Sequence, residues 1–319
     1  MPAKICIVIP AYNEAHAIAH TVKDYKQAFP DAVVVVIDNN SSDRTGDIAA
    51  QALDPTRDLL LVERRQGKGA AVKAGLSRVD ADIYIMTDGD GTYPATDARN
   101  LMGILMRDRC DMVVGDRVSG GTYEKQNTRA GHSFGNRLLT RYVSFLAGQN
   151  YRDVLSGLRV MSRPFVNMLD VRSSGFQLET ELNVIGAYLK ANVVEEPIRY
   201  LQRPEGSTSK LNTVRDGIRI LRFALLNWIA FYPMHALGTV AALALLVSAI
   251  VGLNVLTIFL ELGHMPYVAT AVLAAALGLV GLQALFTGLS LRITGRSVRR
   301  QDVAKLVSMR REWNARLDA

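Results

Sequence analysis

The chain has 319 residues, of which 49% are hydrophobic, and it carries a formal net charge of +7. This hydrophobic share is high for a wholly soluble protein, and the length allows one large domain with a second part. The positive charge could indicate a nucleic-acid partner, but the Lys and Arg excess lies on both sides of two long uncharged segments near the C-terminus. Anionic lipid headgroups explain that placement better than a nucleic acid does.

In chain order, predicted strands alternate with predicted helices before the uncharged segments. The predicted strands cover residues 4–9, 32–37, 59–62, 83–86, 112–114 and 193–200. The predicted helices cover residues 15–29, 45–53, 69–78, 94–107, 134–145 and 178–190. This alternation predicts an α/β domain whose mostly parallel sheet is covered by helices. The two cysteines, Cys6 and Cys110, lack metal-ligand spacing and are expected to be reduced packing residues.

The two uncharged segments, residues 236–260 and 265–291, are 25 and 27 residues long and contain no Asp, Glu, Lys or Arg. At about 1.5 Å per helical residue, each exceeds the roughly 30 Å hydrocarbon core of a bilayer. They therefore predict two transmembrane helices, with a buried core helix as the less favoured alternative. The connecting residues 261–264 contain no Lys or Arg, whereas both flanks are basic. The positive-inside rule predicts a multi-pass protein of the inner (cytoplasmic) membrane whose N-terminal domain and termini are cytoplasmic.

The segment before the first span, residues 212–233, has arginines at helical spacing. Arg215, Arg219 and Arg222 recur there, and a separate apolar stripe contains Leu221 and Leu225. This pattern predicts an amphipathic helix in the membrane interface; packing against the soluble domain is the alternative. The predicted organisation is a domain over residues 1–211, this helix over 212–233, a transmembrane hairpin over 234–292 and a basic cytoplasmic helix over 293–319.

Three predicted strands end in polar clusters, at residues 10–14, 38–43 and 88–90. The carboxyl ends of parallel strands share one edge of the sheet, so these clusters are expected to meet in one crevice. Asp88 and Asp90 are one residue apart with glycines beside them, which suits a hard divalent cation that shares its ligands with substrate phosphates. A solvated acidic turn is the alternative.

The ordered motifs of the chain identify a resemblance. They are Ile9-Pro10-Ala11-Tyr12-Asn13-Glu14, Val36-Ile37-Asp38-Asn39-Asn40-Ser41-Ser42-Asp43, Gly67-Lys68-Gly69, Asp88-Gly89-Asp90, Gly115-Asp116-Arg117, Ser156-Gly157-Leu158-Arg159, Arg203-Pro204-Glu205-Gly206-Ser207 and Ser209-Lys210. As a set they resemble glycosyltransferase family 2, whose fold is GT-A. With two C-terminal spans, the layout is similar to polyprenyl-phosphate glycosyltransferases, the group of dolichol-phosphate mannose synthases and bacterial undecaprenyl-phosphate glycosyltransferases.

The resemblance implies transfer of a sugar from a UDP- or GDP-linked donor to polyprenyl (undecaprenyl) phosphate, for cell-envelope glycan synthesis or protein glycosylation. The nucleoside would be contacted by Pro10, Tyr12, Glu14 and Asp38, although Glu14 and Asp38 precede helices and could cap them instead. Lys68, Arg203 and Lys210 would neutralise the diphosphate, with ordinary surface charge as the alternative for Lys68. Mg²⁺ or Mn²⁺ would be held by Asp88, Asp90 and Thr92. Two residues depart from the usual family pattern: Thr92, where family members often have a different residue, and Asn39, where many relatives have Asp.

The acceptor phosphate is expected at Arg117, Arg129 and Ser133, because the resembling synthases bind lipid phosphate through arginines and a serine. Loop surface charge is the alternative. A phosphate monoester is already largely dianionic at neutral pH, so it needs a positive site rather than a base, and its direct attack on C1 would invert the anomeric configuration. Asp153 would position or assist groups at the reaction centre together with Asp88 and Asp90.

Two other functions remain open: a processive polysaccharide synthase, and a non-catalytic membrane-tethered nucleotide-sugar binding protein. The first normally carries a Gln-x-x-Arg-Trp element, which neither Trp228 nor Trp313 provides, and the intact acidic and basic sets disfavour the second. The Gly67-Lys68-Gly69 run lacks the spacing of a dinucleotide-binding loop, which disfavours NAD. The partners expected are thus the sugar donor, the lipid acceptor and the bilayer, with no nucleic acid; homo-oligomer formation stays open.

Overall fold

The computed structural model describes residues 3–121, 132–175, 177–204, 221–223, 225–226, 229 and 232–318; for residues 132–135 and 146 it describes the backbone only. Its sheet contains seven strands: β1 (Ile5–Ala11), β2 (Val33–Asp38), β3 (Leu59–Val62), β4 (Ile83–Met86), β5 (Met112–Asp116), β6 (Arg159–Ser162) and β7 (Val193–Pro197). Across the sheet they run in the order β3-β2-β1-β4-β6-β5-β7.

The centre of the sheet is parallel. Strand β1 pairs with β2 and with β4 in parallel register, and β2 pairs with β3 in the same sense. The Val and Ile runs of β1, β2 and β4 are almost wholly buried, as strands covered by helices on both faces must be. Separate clusters of buried apolar residues lie on the two faces, one around Tyr25 and one around Phe165. The α/β fold with a mostly parallel sheet, predicted from the alternation, is confirmed.

Strand β6 was not predicted, and it changes the sheet. It runs antiparallel between β4 and β5, so that the parallel pairing of the predicted strands is interrupted at this point. Its first residue, Arg159, is fully buried and donates hydrogen bonds to the carbonyl oxygens of Val154 and Ser156 and to the side chain of Asn183. These partners satisfy a charge that would otherwise make burial unfavourable.

The helices lie close to their predicted positions, except for the short helix Arg163–Val166, which was not predicted. They are α1 (Ile18–Ala28), α2 (Thr45–Ala52), α3 (Lys68–Leu76), α4 (Ala95–Asp108), α5 (His132–Ala147), α6 (Arg163–Val166), α7 (Leu178–Leu189), α8 (Pro233–Leu262) and α9 (Val268–Asp318). Helices α8 and α9 are long and apolar enough to cross a membrane, with mean hydropathies of 2.5 and 2.1 in their most apolar windows. Helix α9 joins in one helix most of the second predicted span, 265–291, and most of the predicted basic helix, 293–319. Much of the predicted juxtamembrane helix lies outside the described residues.

The chain divides into two compact units, one of Met1–Ala224 with Asp302–Ala319 and one of Leu225–Gln301. The C-terminal residues of α9 therefore belong to the same unit as the sheet. Leu306 and Trp313 are buried in the two apolar clusters of that unit. The indole Nε1 of Trp313 donates to the carbonyl oxygen of Asp82 at 3.0 Å, and Arg310 forms an ion pair with the buried carboxylate of Asp111.

Candidate active site

The first two polar clusters meet at the carboxyl edge of the sheet. Ala11 at the end of β1 pairs in register with Asp38 at the end of β2. The loop after β1 is then fixed to the loop after β2, because the backbone N–H of Asn13 donates to Ser41 Oγ at 3.0 Å and that of Glu14 to Thr45 Oγ1 at 2.8 Å. The N-cap residues of α1 and α2 are Ala17 and Arg44, and neither forms a side-chain cap hydrogen bond. The carbonyl oxygen of Glu14 accepts the backbone N–H groups of Ala17 and Ile18 at the start of α1.

The predicted nucleoside residues thus share one edge. Pro10 is buried in β1 and Tyr12 is half-buried directly after that strand, while Glu14 is buried at the beginning of the loop that leads to α1. Asp38 Oδ1 accepts the backbone N–H of Ser41 at 3.1 Å, which orients this carboxylate within the turn. Their contacts with a nucleoside stay a prediction.

Asp90 follows β4 and is almost completely buried. Its Oδ1 accepts the backbone N–H of Thr92 at 3.1 Å and the hydroxyl of Thr92 at 2.7 Å. Its Oδ2 lies 2.7 Å from Nη2 of Arg203. Burial raises the pKa of Asp90, and the neighbouring charge of Asp88 raises it further, while Arg203 and the bonds from Thr92 act in the opposite direction. Thr92 here orients Asp90, and its role as a direct metal ligand stays a prediction.

Arg203 reaches this carboxylate from the segment that follows β7. The backbone N–H of Leu201 donates to the carbonyl oxygen of Thr92 at 2.9 Å, which attaches the segment to the turn after Asp90. The second terminal nitrogen of Arg203 lies 4.0 Å from Oε1 of Glu14. Arg203 therefore connects the predicted metal residue to a predicted nucleoside residue.

Lys68, the first residue of α3, lies between two carboxylates with its side chain 12% exposed. Its Nζ lies 2.5 Å from Oδ1 of Asp88 and 2.5 Å from Oε1 of Glu179 in the first turn of α7. Burial alone would lower the pKa of Lys68, but the two carboxylates outweigh it and the pKa is raised, so the ammonium group stays charged. Lys68 is therefore not an ordinary solvated surface lysine in this structure.

Arg117 and Asp153 form a second buried ion pair. Nε and Nη2 of Arg117 donate to the two carboxylate oxygens of Asp153 at 2.7 and 2.8 Å, and the guanidinium carbon lies 5.5 Å from the centre of the Tyr200 ring. Burial raises the pKa of Asp153, but Arg117 outweighs it, so this pKa lies below the ordinary value for aspartate. Asp153 thus holds Arg117 as a charged partner in this structure, and its role at the reaction centre stays a prediction.

Aromatic rings connect this pair to the turn that contains the acidic motif. The Tyr200 ring contacts the Tyr93 ring edge to face, with centres 5.5 Å apart. The Tyr93 hydroxyl accepts the backbone N–H of Gly157 at 2.9 Å. Arg117 of the acceptor set is therefore packed in one continuous group with Tyr93, the residue directly after Thr92 of the metal set. Arg129, Lys210 and the side chain of Ser133 lie outside the described residues.

The carboxylates of Asp88 and Asp90 fit a divalent cation that also binds a diphosphate. Magnesium in such sites is usually held by one or two carboxylates together with substrate phosphates. A Cβ added at Gly157 would lie 2.6 Å from Oδ2 of Asp88, so glycine there leaves the space beside this oxygen open. Among the described residues no group of three or more His, Cys, Asp or Glu could hold a metal by itself. The residues present therefore fit a cation shared with substrate, not one held by protein alone.

Glu179 is a site residue that the sequence did not reveal. It is separated from Lys68 by 111 positions, and its side chain is directed to Lys68 only because α7 packs beside the start of α3. Asn39 has a structural role: its Nδ2 donates to the carbonyl oxygens of Glu63 and Arg65, and its Oδ1 accepts the N–H of Gly67 at 2.6 Å. An aspartate could not donate those two bonds, which explains the asparagine at this position.

Comparisons with known proteins agree with the fold and the arrangement of motifs. Residues 6–169 match the family model described as glycosyl transferase family 2. The chain therefore belongs to glycosyl transferase family 2 and is a glycosyltransferase, as the resemblance of its motifs indicated.

Two curated relatives and one solved structure illustrate the similarity. Glycosyltransferase AglJ of Haloferax volcanii is 36% identical over 240 residues, covering 72% of this chain and 75% of the relative. A dolichyl-phosphate hexose transferase of the same organism is 30% identical over 219 residues, covering 68% of this chain and 90% of the relative. A glucosyl-3-phosphoglycerate synthase from Mycobacterium tuberculosis, solved with Mn²⁺ and UDP, has a TM-score of 0.57 at 19% identity, covering 71% and 80% of the two chains. This last likeness concerns the fold.

Proposed function

We propose that this glycosyltransferase transfers a hexose from a nucleotide-sugar to a polyprenyl phosphate at the cytoplasmic face of a membrane. The observation that carries the proposal is the joining of acidic and basic groups at one sheet edge, where Asp90 meets Arg203 and Asp88 meets Lys68. Helices α8 and α9, which can span a bilayer, support a lipid acceptor. The relative named as a dolichyl-phosphate hexose transferase supports a polyprenyl phosphate in particular.

On this proposal, the donor occupies the edge between β1, β2 and β4. Glu14 and Asp38 accept hydrogen bonds from the nucleoside, while Lys68 and Arg203, with Lys210, turn toward the diphosphate. Asp88 and Asp90, supported by Thr92, would hold Mg²⁺ or Mn²⁺. Such a cation, when bound, neutralises charge that develops on the leaving diphosphate.

The acceptor requires little activation, because the second pKa of a phosphate monoester is about 6. Arg117, with Arg129 and Ser133, places the phosphate near C1 of the sugar, and Asp153 holds Arg117 in position. A phosphate oxygen forms the new bond to C1 as the bond from C1 to the diphosphate oxygen breaks, and the bonding electrons leave with the nucleoside diphosphate. Attack from the face opposite the leaving group inverts the anomeric configuration.

The test uses the purified full chain in nanodiscs that contain undecaprenyl phosphate, with radiolabelled UDP- and GDP-sugars supplied one at a time. One donor is expected to give an organic-extractable sugar phospholipid of inverted configuration, and Asp90→Asn is expected to give about 10²-fold less or lower still. A polymer formed without lipid phosphate would instead identify a processive synthase. Donor binding without any turnover would identify a nucleotide-sugar binding protein, and either result would overturn the proposal.

A further inference from the structure

Glu195 lies in β7, a strand at the edge of the sheet, with its side chain half-buried. One of its carboxylate oxygens accepts the backbone N–H of Arg152 at 2.8 Å, and the other accepts that of Asp153 at 3.1 Å. These two bonds attach the segment before β6 to the sheet. A carboxylate has an oxygen for each of two successive N–H groups, whereas the amide of a glutamine has one oxygen and one nitrogen that itself donates.

The segment that Glu195 holds contains the carboxylate that holds Arg117. Asp153 is fully buried, and its Oδ2 accepts both the backbone N–H of Arg117 at 3.2 Å and Nε at 2.7 Å, while its Oδ1 accepts Nη2 at 2.8 Å. Strands β5 and β7 are parallel neighbours with Val114 opposite Glu195, and Arg117 follows directly after β5. Glu195 therefore reaches Arg117 in two steps, through the backbone of residues 152–153 and through the Asp153 carboxylate.

The surroundings of Glu195 disfavour its negative charge. Burial raises the pKa of Glu195, two backbone N–H groups lower it, and the charges of Asp116 and Asp153 raise it again, so that it lies above the ordinary value for glutamate. Arg159 and Tyr151 also face this carboxylate, and Arg159 is the cation of the two. Glu195 consequently takes up a proton at a higher pH than an ordinary glutamate does, and that proton removes one of the two acceptor oxygens.

We propose that Glu195 is a positioning residue of the acceptor site: its carboxylate fixes residues 152–153, and Asp153 in turn holds the Arg117 guanidinium group for the acceptor phosphate. On the proposed function Arg117 binds that phosphate, and the role of Glu195 rests on this assignment. Glu195 acts through Asp153 and not by contact with substrate. An arginine that is already fixed loses less freedom when the phosphate binds, so the effect of Glu195 belongs to acceptor affinity and not to donor affinity.

The first test measures the attachment without any sugar transfer. Hydrogen exchange, resolved to single amides, is compared for the full wild-type chain, Glu195→Gln and Glu196→Gln in nanodiscs. Glu196 is the matched control because it is the next residue of β7, so its side chain lies on the opposite face of the sheet. The amides of Arg152, Asp153 and Arg117 are expected to exchange roughly tenfold faster in Glu195→Gln and at the wild-type rate in Glu196→Gln.

The same measurement at lower pH tests whether the ionised carboxylate is what holds the segment. As the pH falls, Glu195 of the wild type takes up its proton and loses one acceptor oxygen. The ratio of the exchange rates in Glu195→Gln to those in the wild type is therefore expected to fall toward one. The intrinsic pH dependence of exchange affects both proteins alike and cancels in this ratio.

The second test separates positioning of the acceptor from a general structural role. Glu195→Gln is expected to raise the KM for undecaprenyl phosphate in nanodiscs roughly tenfold and to change kcat less, because the lost bonds act on acceptor binding. Calorimetry is expected to give an unchanged affinity for UDP or GDP, whichever the protein binds. Glu196→Gln is expected to resemble the wild type in all three quantities.

The proposal is overturned if exchange at the three amides is unchanged in Glu195→Gln, or if it is faster while the KM for the acceptor stays the same. An equal loss of donor affinity would also overturn it, as would an exchange ratio that stays constant as the pH falls to about 4.3, the ordinary pKa of glutamate.

If fast exchange throughout β1 shows that Glu195→Gln is unfolded, Glu195→Asp takes its place, because aspartate keeps the charge but is one methylene too short to reach both N–H groups. The same selective changes are then expected with a smaller amplitude, and their absence overturns the proposal. Faster exchange at the three amides in a protein that transfers no sugar to any polyprenyl phosphate would refute the proposed function and leave the hold of Glu195 on Arg117 intact.

Discussion

Asp90 uses its two oxygens for different partners, Thr92 on one and Arg203 on the other. Asp90→Asn keeps the size and an acceptor for Thr92 but removes the charge that a cation and Arg203 require. We expect transfer to fall by about 10²-fold or more, because charge on the leaving diphosphate would lose its counter-ion. The initial rate of transfer measures this, and Asp31→Asn, at an exposed aspartate before β2, is the control. Full activity of Asp90→Asn, or of the wild type in EDTA, would contradict the assignment.

Arg203 occupies the oxygen of Asp90 that a cation would share. Arg203→Gln removes this internal competitor, so we expect Mn²⁺ to bind roughly tenfold more tightly in the absence of nucleotide. Nucleoside diphosphate is expected to bind more weakly, because the guanidinium group no longer neutralises it. Electron paramagnetic resonance of free Mn²⁺ gives the first affinity and calorimetry the second. Arg199→Gln, which breaks the pair with Asp97, is the control. If Arg199→Gln also binds Mn²⁺ more tightly and nucleotide more weakly, the competition between Arg203 and the cation is refuted.

The ion pair of Asp153 with Arg117 makes stability depend on pH in a defined direction. The folded-state pKa of Asp153 is depressed, so its contribution is complete above the unfolded pKa of about 3.9 and is lost as the pH falls through the lower folded value. We expect Asp153→Asn to lower the free energy of unfolding by roughly 3–5 kcal/mol at neutral pH. Melting temperatures of the two proteins should converge below about pH 4. A difference that stays constant as the pH falls further below that value would show that packing, not the charge pair, carries the effect.

At the scale of elements, the start of α3 lies against the backbone that precedes α7. The N–H of Gly69 donates to the carbonyl oxygen of Ser174 at 2.9 Å, and a Cβ at Gly69 would lie 2.1 Å from the carbonyl oxygen of Ser173. Gly69→Ala must therefore displace the start of α3, and with it Lys68. We expect weaker donor binding and a lower melting temperature.

Gly103→Ala in α4 is the matched control for this prediction. No atom lies within 4 Å of its added Cβ, so alanine should only favour the helix, by about 0.5–1 kcal/mol. Equal donor affinity in the Gly69 and Gly103 variants would show that α3 does not position Lys68.

Most strands and helices of the catalytic unit could be predicted because each is short and uniform in its pattern, as the Val run of β2 is. Strand β6 could not, because it begins with Arg159 and its identity depends on Asn183 and on carbonyl oxygens that only the folded chain brings to it. The same reason applies in the site. Asp88 and Asp90 are recognisable from their spacing, whereas Glu179 depends on the packing of α7.

For the whole molecule, the orientation in the membrane stays a prediction that one label can test. Burial raises the pKa of Cys6 to about 12 and that of Cys110 to about 11, so both thiols remain protonated and unreactive at neutral pH. The only reactive thiol in a Gly263→Cys variant should then be the engineered one, between α8 and α9. We expect an impermeant maleimide to label it from outside intact cells. If the maleimide labels it only after gaining access to the cytoplasm, the orientation is opposite to the predicted one. Wild-type protein, which lacks the engineered cysteine, is the negative control.

Residues 302–318, at the C-terminal end of α9, belong to the same compact unit as the N-terminal sheet, and this affects the order in which the unit can fold during synthesis. Ribosomes release a chain from its N-terminus onward, so the sheet emerges early, yet Leu306 and Trp313, which complete its apolar clusters, emerge last. Helix α8 and the apolar part of α9 are synthesised before that happens. A nascent chain therefore carries an unfinished transferase until its membrane part is complete, and a prematurely terminated chain would expose that apolar surface to the proteases that remove faulty products. On the proposed function, synthesis itself thus couples maturation of the enzyme to delivery at a membrane.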